Sequence, residues 1–310
     1  MTQYVLKRFV YIVIALFFIV TATFFLMRLA PGNPFAGEQT VMTQAIQDQL
    51  NEQYGLSNPW YVQYWDYLTD VVKFDFGESM KYRGRSTNDM IFESFPVSLA
   101  LGGQALLIAI GGGVLLGIIS AMNHNRAGDY ISTIVAVLGI SIPSFVLAGL
   151  LQYSLGLKLG WFPISGWRDA ASTVLPSVAL GISYMGNIAK MTRSSLLEQN
   201  TSEYVKLARA KGLTRWAVVF KHSLRNALLP VVSYLGPLTA GVLTGSFVIE
   251  NVFAIPGLGR HFVTSINNRD YTVIMGTTVF YAILLLFAVL IVDILYVLID
   301  PRIKLEGADS

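Results

Sequence analysis

The sequence predicts an all-α polytopic membrane protein with six transmembrane helices, and three observations carry this prediction. Hydrophobic residues make up 54% of the chain and charged residues only 13%, which is more apolar surface than a soluble core could bury. Uncharged runs long enough to cross a bilayer recur along the chain. Lys and Arg concentrate in the short connections on one predicted side of these runs.

The first predicted span follows Lys7 and Arg8 and runs from Phe9 to Met27. A signal peptide shares this outline, but the run is longer than a typical h-region and no clear small-x-small cleavage site follows it. We therefore expect an uncleaved helix within a first region, residues 1–30, whose N-terminus is cytoplasmic.

The segment 31–95 is polar and rich in aromatic residues, and alternation of the spans places it outside the cytoplasm. Its apolar anchors and mixed charge predict a folded segment with two short helices, near 42–54 and 59–74. Clustered rings favour anchoring at the lipid headgroups over a ligand site. These rings belong to Trp60, Tyr61, Tyr64, Trp65 and Tyr67.

The other five spans are predicted in the region 96–303, and the tail 304–310 follows them. Their predicted ranges are 97–122, 131–157, 174–189, 227–249 and 272–299. Two spans contain small-xxx-small pairs that suit close helix contact, Gly113 with Gly117 and Gly241 with Gly245. Pro143 predicts a kink in the third span.

The Lys and Arg residues of the short loops set the predicted orientation. Thirteen of the 22 basic residues lie on the side of the chain termini, against four in short loops on the other side. Five more belong to the long outer segment, in which the positive-inside rule carries little weight. Both termini are therefore expected in the cytoplasm.

Residues 200–230, which we call the basic element, form a polar island between the fourth and fifth predicted spans. Its signals predict two short helices with a hard stop between them. Glu203 lies in the first turn of the first helix, and Gly212 stands where a helix ends in a left-handed residue. Leu213 is expected to supply the apolar contact of a Schellman ending, and Thr214 to cap the second helix.

Several kinds of chemistry have no support in the sequence. The chain contains no cysteine, no G-x-x-x-x-G-K-[ST] phosphate loop and no paired histidine motif, so neither a catalytic nor a cofactor or metal site is predicted. The basic residues lie beside apolar spans, where topology explains them better than nucleic-acid binding. Glu250 and Asp293 lie near the ends of predicted spans. Each acid either lines a translocation pathway or pairs with a neighbouring helix as part of the packing.

The basic element resembles the cytoplasmic EAA-type loop of ABC importer permeases. The likeness extends along nearly the whole chain to the B-type subunit of the dipeptide, oligopeptide and nickel importer family. The segments that carry it are Glu203–Gly212, Arg225–Pro230, Arg28–Pro34, Asn251–Arg260, Asn268–Tyr271 and Asp300–Arg302. Lys206 and Leu207 stand where the general pattern has Glu and Ala.

The resemblance implies a type I permease fold in which a coupling loop, within residues 190–230, docks on a cytoplasmic ATPase. The residues assigned to this loop are Glu203, Tyr204, Ala208, Arg209, Gly212, Leu213, Leu229 and Pro230, of which Ala208, Gly212 and Leu213 are expected to seat the ATPase. An extracytoplasmic binding protein is expected to meet the outer segment 31–95 and the loop 251–271. Its specific contacts are predicted at Pro256, Gly257, Gly259, Arg260 and Asp270.

The implied assembly contains a second permease subunit, two ATPase subunits that bind ATP and Mg, and the binding protein. It resides in the bacterial cytoplasmic membrane, and its cargo is a dipeptide or longer peptide, with glutathione or nickel left open. A different hypothesis is an ATP-independent channel or proton-coupled carrier that uses Glu250 and Asp293. A membrane enzyme is a remote third, since no catalytic constellation occurs.

Overall fold

Helices make up most of the part of the chain that the structure describes. A computed structural model describes residues 2–29, 35 and 44–299, and within these residues the only β feature is an isolated bridge between Glu78 and Ser86. The all-α prediction is therefore confirmed. Met1, the segment Asp300–Arg302, the tail 304–310 and residues 30–34 of the Arg28–Pro34 segment lie outside the described residues.

Thirteen α-helices follow one another along the described residues. The bounds are α1 Thr2–Leu29, α2 Gln44–Gln53, α3 Trp60–Val72, α4 Thr87–Met122, α5 Ala127–Ser141, α6 Ser144–Leu151, α7 Ala170–Gln199, α8 Glu203–Ala210, α9 Arg215–Val218, α10 Leu224–Ala227, α11 Leu229–Val252, α12 Leu258–Asn268 and α13 Tyr271–Ile299. A π-helical segment, Gln152–Lys158, continues α6, and another, Val219–Ser223, joins α9 to α10.

Four helices of the described chain are long and apolar enough to cross a membrane. They supply the segments Leu6–Leu29, Thr87–Met122, Leu229–Val252 and Tyr271–Ile294, and α5 with α6 makes a fifth if that bent pair is one span. The remaining predicted span, 174–189, lies inside α7, whose 30 residues are long enough for a crossing. Helix α7 is less apolar than the four helices that qualify as candidate spans. The number of six transmembrane helices therefore stays a prediction.

The chain divides into two compact units. The first comprises residues 1–97 and 256–286 and contains α1, α2, α3 and α12. Its buried core includes Val20, Val71, Phe76, Ile91, Leu258, Val279 and Phe280. The two short outer helices predicted near 42–54 and 59–74 are present as α2 and α3.

Helix α3 packs on α1 through aromatic rings. The ring of Phe24 lies 5.3 Å from that of Tyr64 and stacks on that of Tyr67 at 5.9 Å, and the hydroxyls of Thr21 and Tyr64 are 2.7 Å apart. Trp60, Tyr61 and Trp65 of the predicted cluster remain exposed. The cluster is thus divided between partly buried rings that pack on α1 and exposed rings, of which Trp60 still lies 6.0 Å from the ring of Phe25 in α1.

The second unit comprises residues 98–255 and 287–310, and α7 is its central helix. Helix α7 packs against α5, α6, α10 and α11. The predicted pair Gly113 and Gly117 makes close contact with α7: a Cβ on Gly117 would lie 2.5 Å from the Cβ of Thr192 and 2.8 Å from the carbonyl oxygen of Ala189. The small-residue pair therefore lets α4 approach α7 closely, as the sequence predicted.

The expected kink at Pro143 is a break. Helices α5 and α6 meet at 106°, and Ile142 between them is extended, with φ −88° and ψ 119°. The pyrrolidine ring disfavours the α conformation in the preceding residue, so the helix stops there and restarts at Ser144. The disruption lies at the predicted position but is larger than a kink, and the span predicted over 131–157 corresponds to the bent pair of α5 and α6.

Candidate functional site

The basic element folds as the sequence predicted, as two helical segments separated by a stop. Helix α8 forms the first segment, and α9, the π-helical turn and α10 form the second. Thr214 caps α9, since its Oγ1 accepts a hydrogen bond from the amide of Ala217 at 3.3 Å. Ser202 takes the N-cap position of α8, but its hydroxyl donates to the carbonyl oxygen of Gln199 and does not cap the helix.

The stop between the two segments is a Schellman turn centred on Gly212. Gly212 has φ +79°, its amide donates to the carbonyl oxygen of Arg209 at 2.9 Å, and the amide of Leu213 donates to that of Ala208 at 3.4 Å. Both bonds of the motif are present. A Cβ built on Gly212 would meet no atom within 4 Å, so conformation alone explains the glycine, and the turn projects from the chain as an open tip.

The interior of the element is a small apolar cluster. Val205 and Ala208 of α8 pack against Val218 of α9, and all three side chains are buried. Ala208, which was expected to seat a partner, therefore holds the two segments together and is only 5% exposed. The apolar side chains that remain accessible on the element are Tyr204, Leu207, Leu213, Trp216 and Phe220.

Polar contacts fix the element to its neighbours. The hydroxyl of Tyr204 donates to Oε1 of Gln199, at the end of α7, over 2.5 Å, and it accepts from Nδ2 of Asn226 in α10 over 3.1 Å. The guanidinium of Arg209 donates to Oδ1 of Asn200 at 3.3 Å. Tyr204 and Arg209, both predicted as coupling-loop residues, thus connect α8 to the end of α7. Glu203 lies in the first turn of α8.

The base of the element is buried against the ends of two long helices. Val219 packs in a cluster with Ile118, Ala121 and Met122 of α4, Leu196 of α7 and Ala227 of α10. The predicted residues Leu229 and Pro230 begin α11, where proline is tolerated because the first amides of a helix lack helical partners. The element is therefore packed against the ends of α4 and α7, and α11 follows it directly in the chain.

A buried ion pair that the sequence reasoning missed holds the α4–α5 connection to α7. Asp129 is 3% exposed, and its carboxylate accepts from Nε and Nη2 of Arg193 at 2.7 and 2.8 Å. Ser120, the amide of Asn125 at 2.9 Å and Nδ1 of His124 at 3.2 Å surround the same carboxylate. Hydrogen bonding to this carboxylate raises the pKa of the Arg193 guanidinium, which stays charged.

The sequence signal for this ion pair was weak. Asp129 is one acid in a short predicted loop and Arg193 one of many cations, and 64 residues separate them. Arg193 lies about two turns before the end of α7. The ion pair is therefore close to the start of the basic element at residue 200.

The two acids predicted as pathway or packing groups lie in different environments. Glu250 is fully buried in α11, and its Oε1 accepts from the hydroxyl of Ser98 in α4 at 2.8 Å. Asp293 lies in α13 and is half-buried. The contact of Glu250 with Ser98 gives this acid a packing partner.

The residues predicted to contact a binding protein divide into exposed and buried ones. Pro256 and Arg260 are exposed, whereas Gly257, Gly259 and Asp270 are buried. Asp270 accepts from the hydroxyl of Ser79 and from the amides of Met80 at 3.1 Å and Val273 at 3.3 Å. Asp270 therefore fixes the outer turn at Ser79 and the start of α13, and presents no free carboxylate to the exterior.

Comparison with known proteins identifies the family. Residues 113–305 match the family described as binding-protein-dependent transport system inner membrane component, and residues 1–102 match the N-terminal family of the same transport-system membrane components. The chain belongs to this family of transport-system membrane components.

Curated family members resemble the chain over its full length. It is 48% identical over 308 residues to the dipeptide transport system permease protein DppB of Bacillus subtilis, covering 99% of both chains. It is 41% identical over 306 residues to the oligopeptide transport system permease protein OppB of Escherichia coli, covering 98% of this chain and 100% of the relative.

Solved structures share the fold of this family member. The inward-facing MetNI methionine ABC transporter superposes with a TM-score of 0.58 at 19% identity, over 68% of this chain and 96% of the other. An amino acid ABC transporter gives a TM-score of 0.53 at 16% identity, over 67% and 94%. The chain is thus a multi-pass membrane protein with the fold of an ABC importer permease.

Proposed function

We propose that this chain is the permease subunit of an ATP-driven importer of peptides. It pairs with a second permease subunit, and the two enclose the translocation pathway between them. The names of the DppB and OppB relatives support a dipeptide or longer peptide as cargo. Companion subunits bind ATP and Mg and hydrolyse the nucleotide, and an extracytoplasmic binding protein delivers the peptide.

The observation that carries this proposal is the open Schellman tip of the basic element. Gly212 and Leu213 project beyond the cluster that joins α8 to α9, and no described atom approaches the position of a Cβ on Gly212 within 4 Å. A groove on an ATPase subunit can receive such a tip. Leu207 and Leu213 are exposed beside it and offer apolar contacts.

Coupling follows from the way in which the element is supported. Its interior cluster keeps α8 and α9 together, and Val219 packs on the ends of α4 and α7. When the two ATPase subunits close on ATP, the tip is displaced and the element moves as a body. The displacement then reaches α4, α7 and α11, which rearrange between outward-open and inward-open states.

The orientation proposed here places the basic element and both chain termini in the cytoplasm. The outer segment 44–95 and the exposed residues Pro256 and Arg260 then face the binding protein. The excess of Lys and Arg in the short loops on the cytoplasmic side supports this orientation.

The test is ATP-driven uptake of labelled peptide into vesicles that contain the assembled transporter. We expect Gly212→Asp to abolish uptake, because it places a charged side chain at the tip where the ATPase docks. Gly212→Asn is the matched control for backbone conformation, since Asn tolerates the left-handed region as Asp does. It is expected to retain more uptake than the aspartate variant.

Two results would contradict the proposal. The first is unchanged uptake and ATPase stimulation in an assembled Gly212→Asp transporter. The second is uptake by the purified chain alone, independent of ATP and abolished by Asp293→Asn, which would establish a proton-coupled carrier. Replacing the labelled peptide with glutathione or chelated nickel in the same vesicles separates the alternative cargoes.

A further inference from the structure

The second segment of the basic element carries an exposed aromatic pair that the coupling role does not use. The rings of Trp216 and Phe220 stack with their centroids 5.7 Å apart and their planes 14° from parallel. Their side chains are 57% and 56% exposed. Large rings that are ordered against each other yet remain open to the surroundings are typical of a surface with a partner.

This pair points away from α8. Val218 is the residue of the second segment that packs on α8, and Trp216 and Phe220 lie two positions before and after it. At about 100° per residue, a step of two residues leads to the opposite side of the helix. The partner of the aromatic pair therefore lies on the side of the second segment that faces away from α8.

The chain near the pair is close to a membrane boundary. The candidate span Leu229–Val252 begins nine residues after Phe220, and Val219 packs on the ends of the long helices α4 and α7. The aromatic pair is thus held beside the point where three long helices reach their ends on this side of the protein.

Exposed cations surround the pair. Arg215, Lys221 and Arg225 are all exposed, and no acidic residue occurs between Glu203 and Glu250. Rings beside flexible cations are the combination that favours the headgroup level of a bilayer with anionic lipids, because the rings enter the interface while the cations meet phosphates.

We propose that Trp216 and Phe220, with Arg215, Lys221 and Arg225, form an interfacial anchor that binds the anionic lipid surface of the membrane. The anchor holds the second segment of the basic element at the headgroups, while the Gly212 tip between the two segments stays accessible. A force on the tip then tilts the element about a line fixed at the lipid surface, and the tilt displaces Val219 against α4 and α7. The choice of the cytoplasmic leaflet and the force on the tip rest on the proposed function, whereas the binding of anionic lipid does not.

The test is photo-crosslinking of the full-length chain in cells, together with its natural partner subunits. The photoreactive aromatic residue p-benzoylphenylalanine replaces Trp216 in one variant and Phe220 in another, and both positions are exposed enough to accept it. After irradiation, we expect the purified chain to gain the mass of one phospholipid at either position. In nanodiscs containing equal amounts of phosphatidylglycerol and phosphatidylcholine, the adduct is expected to be enriched in phosphatidylglycerol.

Leu207 provides the matched control, because it is exposed to a similar degree on α8. With the same photoreactive residue at Leu207, a protein adduct is expected and a lipid adduct is not. If position 216 or 220 instead yields an adduct to an ATPase or to the second permease subunit, or no lipid adduct at all, the anchor is wrong. A failure confined to Leu207 counts against ATPase docking and leaves the anchor standing.

Discussion

At the scale of single residues, the ion pair between Asp129 and Arg193 places a buried carboxylate in the second unit. Four hydrogen-bond donors besides His124 converge on one carboxylate that is only 3% exposed. Removing one partner of a buried pair leaves the other without compensation, which costs more than the pair contributes while intact. The α4–α5 connection therefore depends on the charge of Asp129.

We expect Asp129→Asn to destabilise the protein by about 2–3 kcal/mol, below the full penalty of a buried pair because Arg193 is partly exposed. The measurement is the thermal unfolding midpoint of the purified chain in detergent. Asp70→Asn is the control, since Asp70 pairs with Lys73 at 3.9 Å on the surface and its loss is expected to change stability by less than about 0.5 kcal/mol. Equal midpoints for the two variants would show that the Asp129 pair contributes nothing.

At the scale of helices, the contact of α4 with α7 depends on the absence of side chains on α4. A Cβ on Gly117 would clash with both the side chain of Thr192 and the carbonyl oxygen of Ala189. The carbonyl group, unlike a side chain, cannot rotate to relieve the clash without moving the helix. Gly111, on the same helix, has open space around its Cβ position. Alanine substitutions at the two glycines therefore distinguish the effect of helix packing, which operates at Gly117, from the effect of helix propensity, which operates at both.

The expected effect of Gly117→Ala is a destabilisation of about 1–3 kcal/mol, since overpacking forces the two helices apart. Gly111→Ala is expected to be neutral or stabilising by up to about 1 kcal/mol, because alanine favours the helix. Thermal unfolding of the two purified variants measures the difference. A loss of the same size in both would mean that helix packing at Gly117 does not limit stability.

The joint between α8 and α9 gives a second prediction at this scale. Ala208→Leu overfills the cluster with Val205 and Val218, which loosens the element without changing its exposed surface. We expect more ATP to be hydrolysed for each peptide imported, because the displaced tip no longer carries the helices with it. Ala210→Leu makes the same change at an exposed position and is expected to leave this ratio unaltered. An unchanged ratio in the Ala208 variant would disprove the need for a rigid joint.

At the scale of the whole molecule, the number of times that the chain crosses the membrane sets its topology. Helix α7 decides the count, since its length permits a crossing and its composition does not require one. A helix packed on several neighbours within a protein needs less apolar surface than one that faces lipid, which explains how α7 can span while carrying polar residues.

The natural absence of cysteine makes this question accessible. Single cysteines introduced by Arg168→Cys, before α7, and Lys206→Cys, after it, are expected to react with a membrane-impermeant thiol reagent from opposite sides. Position 168 is expected to be labelled from outside and position 206 from the cytoplasm. Lys81→Cys and Lys211→Cys serve as outer and inner references. Labelling of positions 168 and 206 from one side would remove the fourth span and leave five.

Local features were predictable from the sequence, and long-range pairings were not. The turn at Gly212, the cap at Thr214 and the close approach at Gly117 each follow from a few neighbouring residues whose conformational preferences agree. The pairing of Asp129 with Arg193, the burial of Ala208 and the buried role of Asp270 depend on which helices meet, and periodicity does not specify that. At Pro143 the sequence indicated the position of the disruption, but its size depended on packing around the two halves.

The contact of Asp270 with Ser79 also has a consequence for biosynthesis. The two residues are 191 positions apart. The ribosome has therefore made most of the chain before it adds Asp270, whose carboxylate fixes the outer turn. Until then, Ser79 and the amide of Met80 lack this acceptor while the intervening helices enter the membrane. The outer turn is therefore completed late in synthesis, and a chain truncated before Asp270 is expected to expose it to proteases.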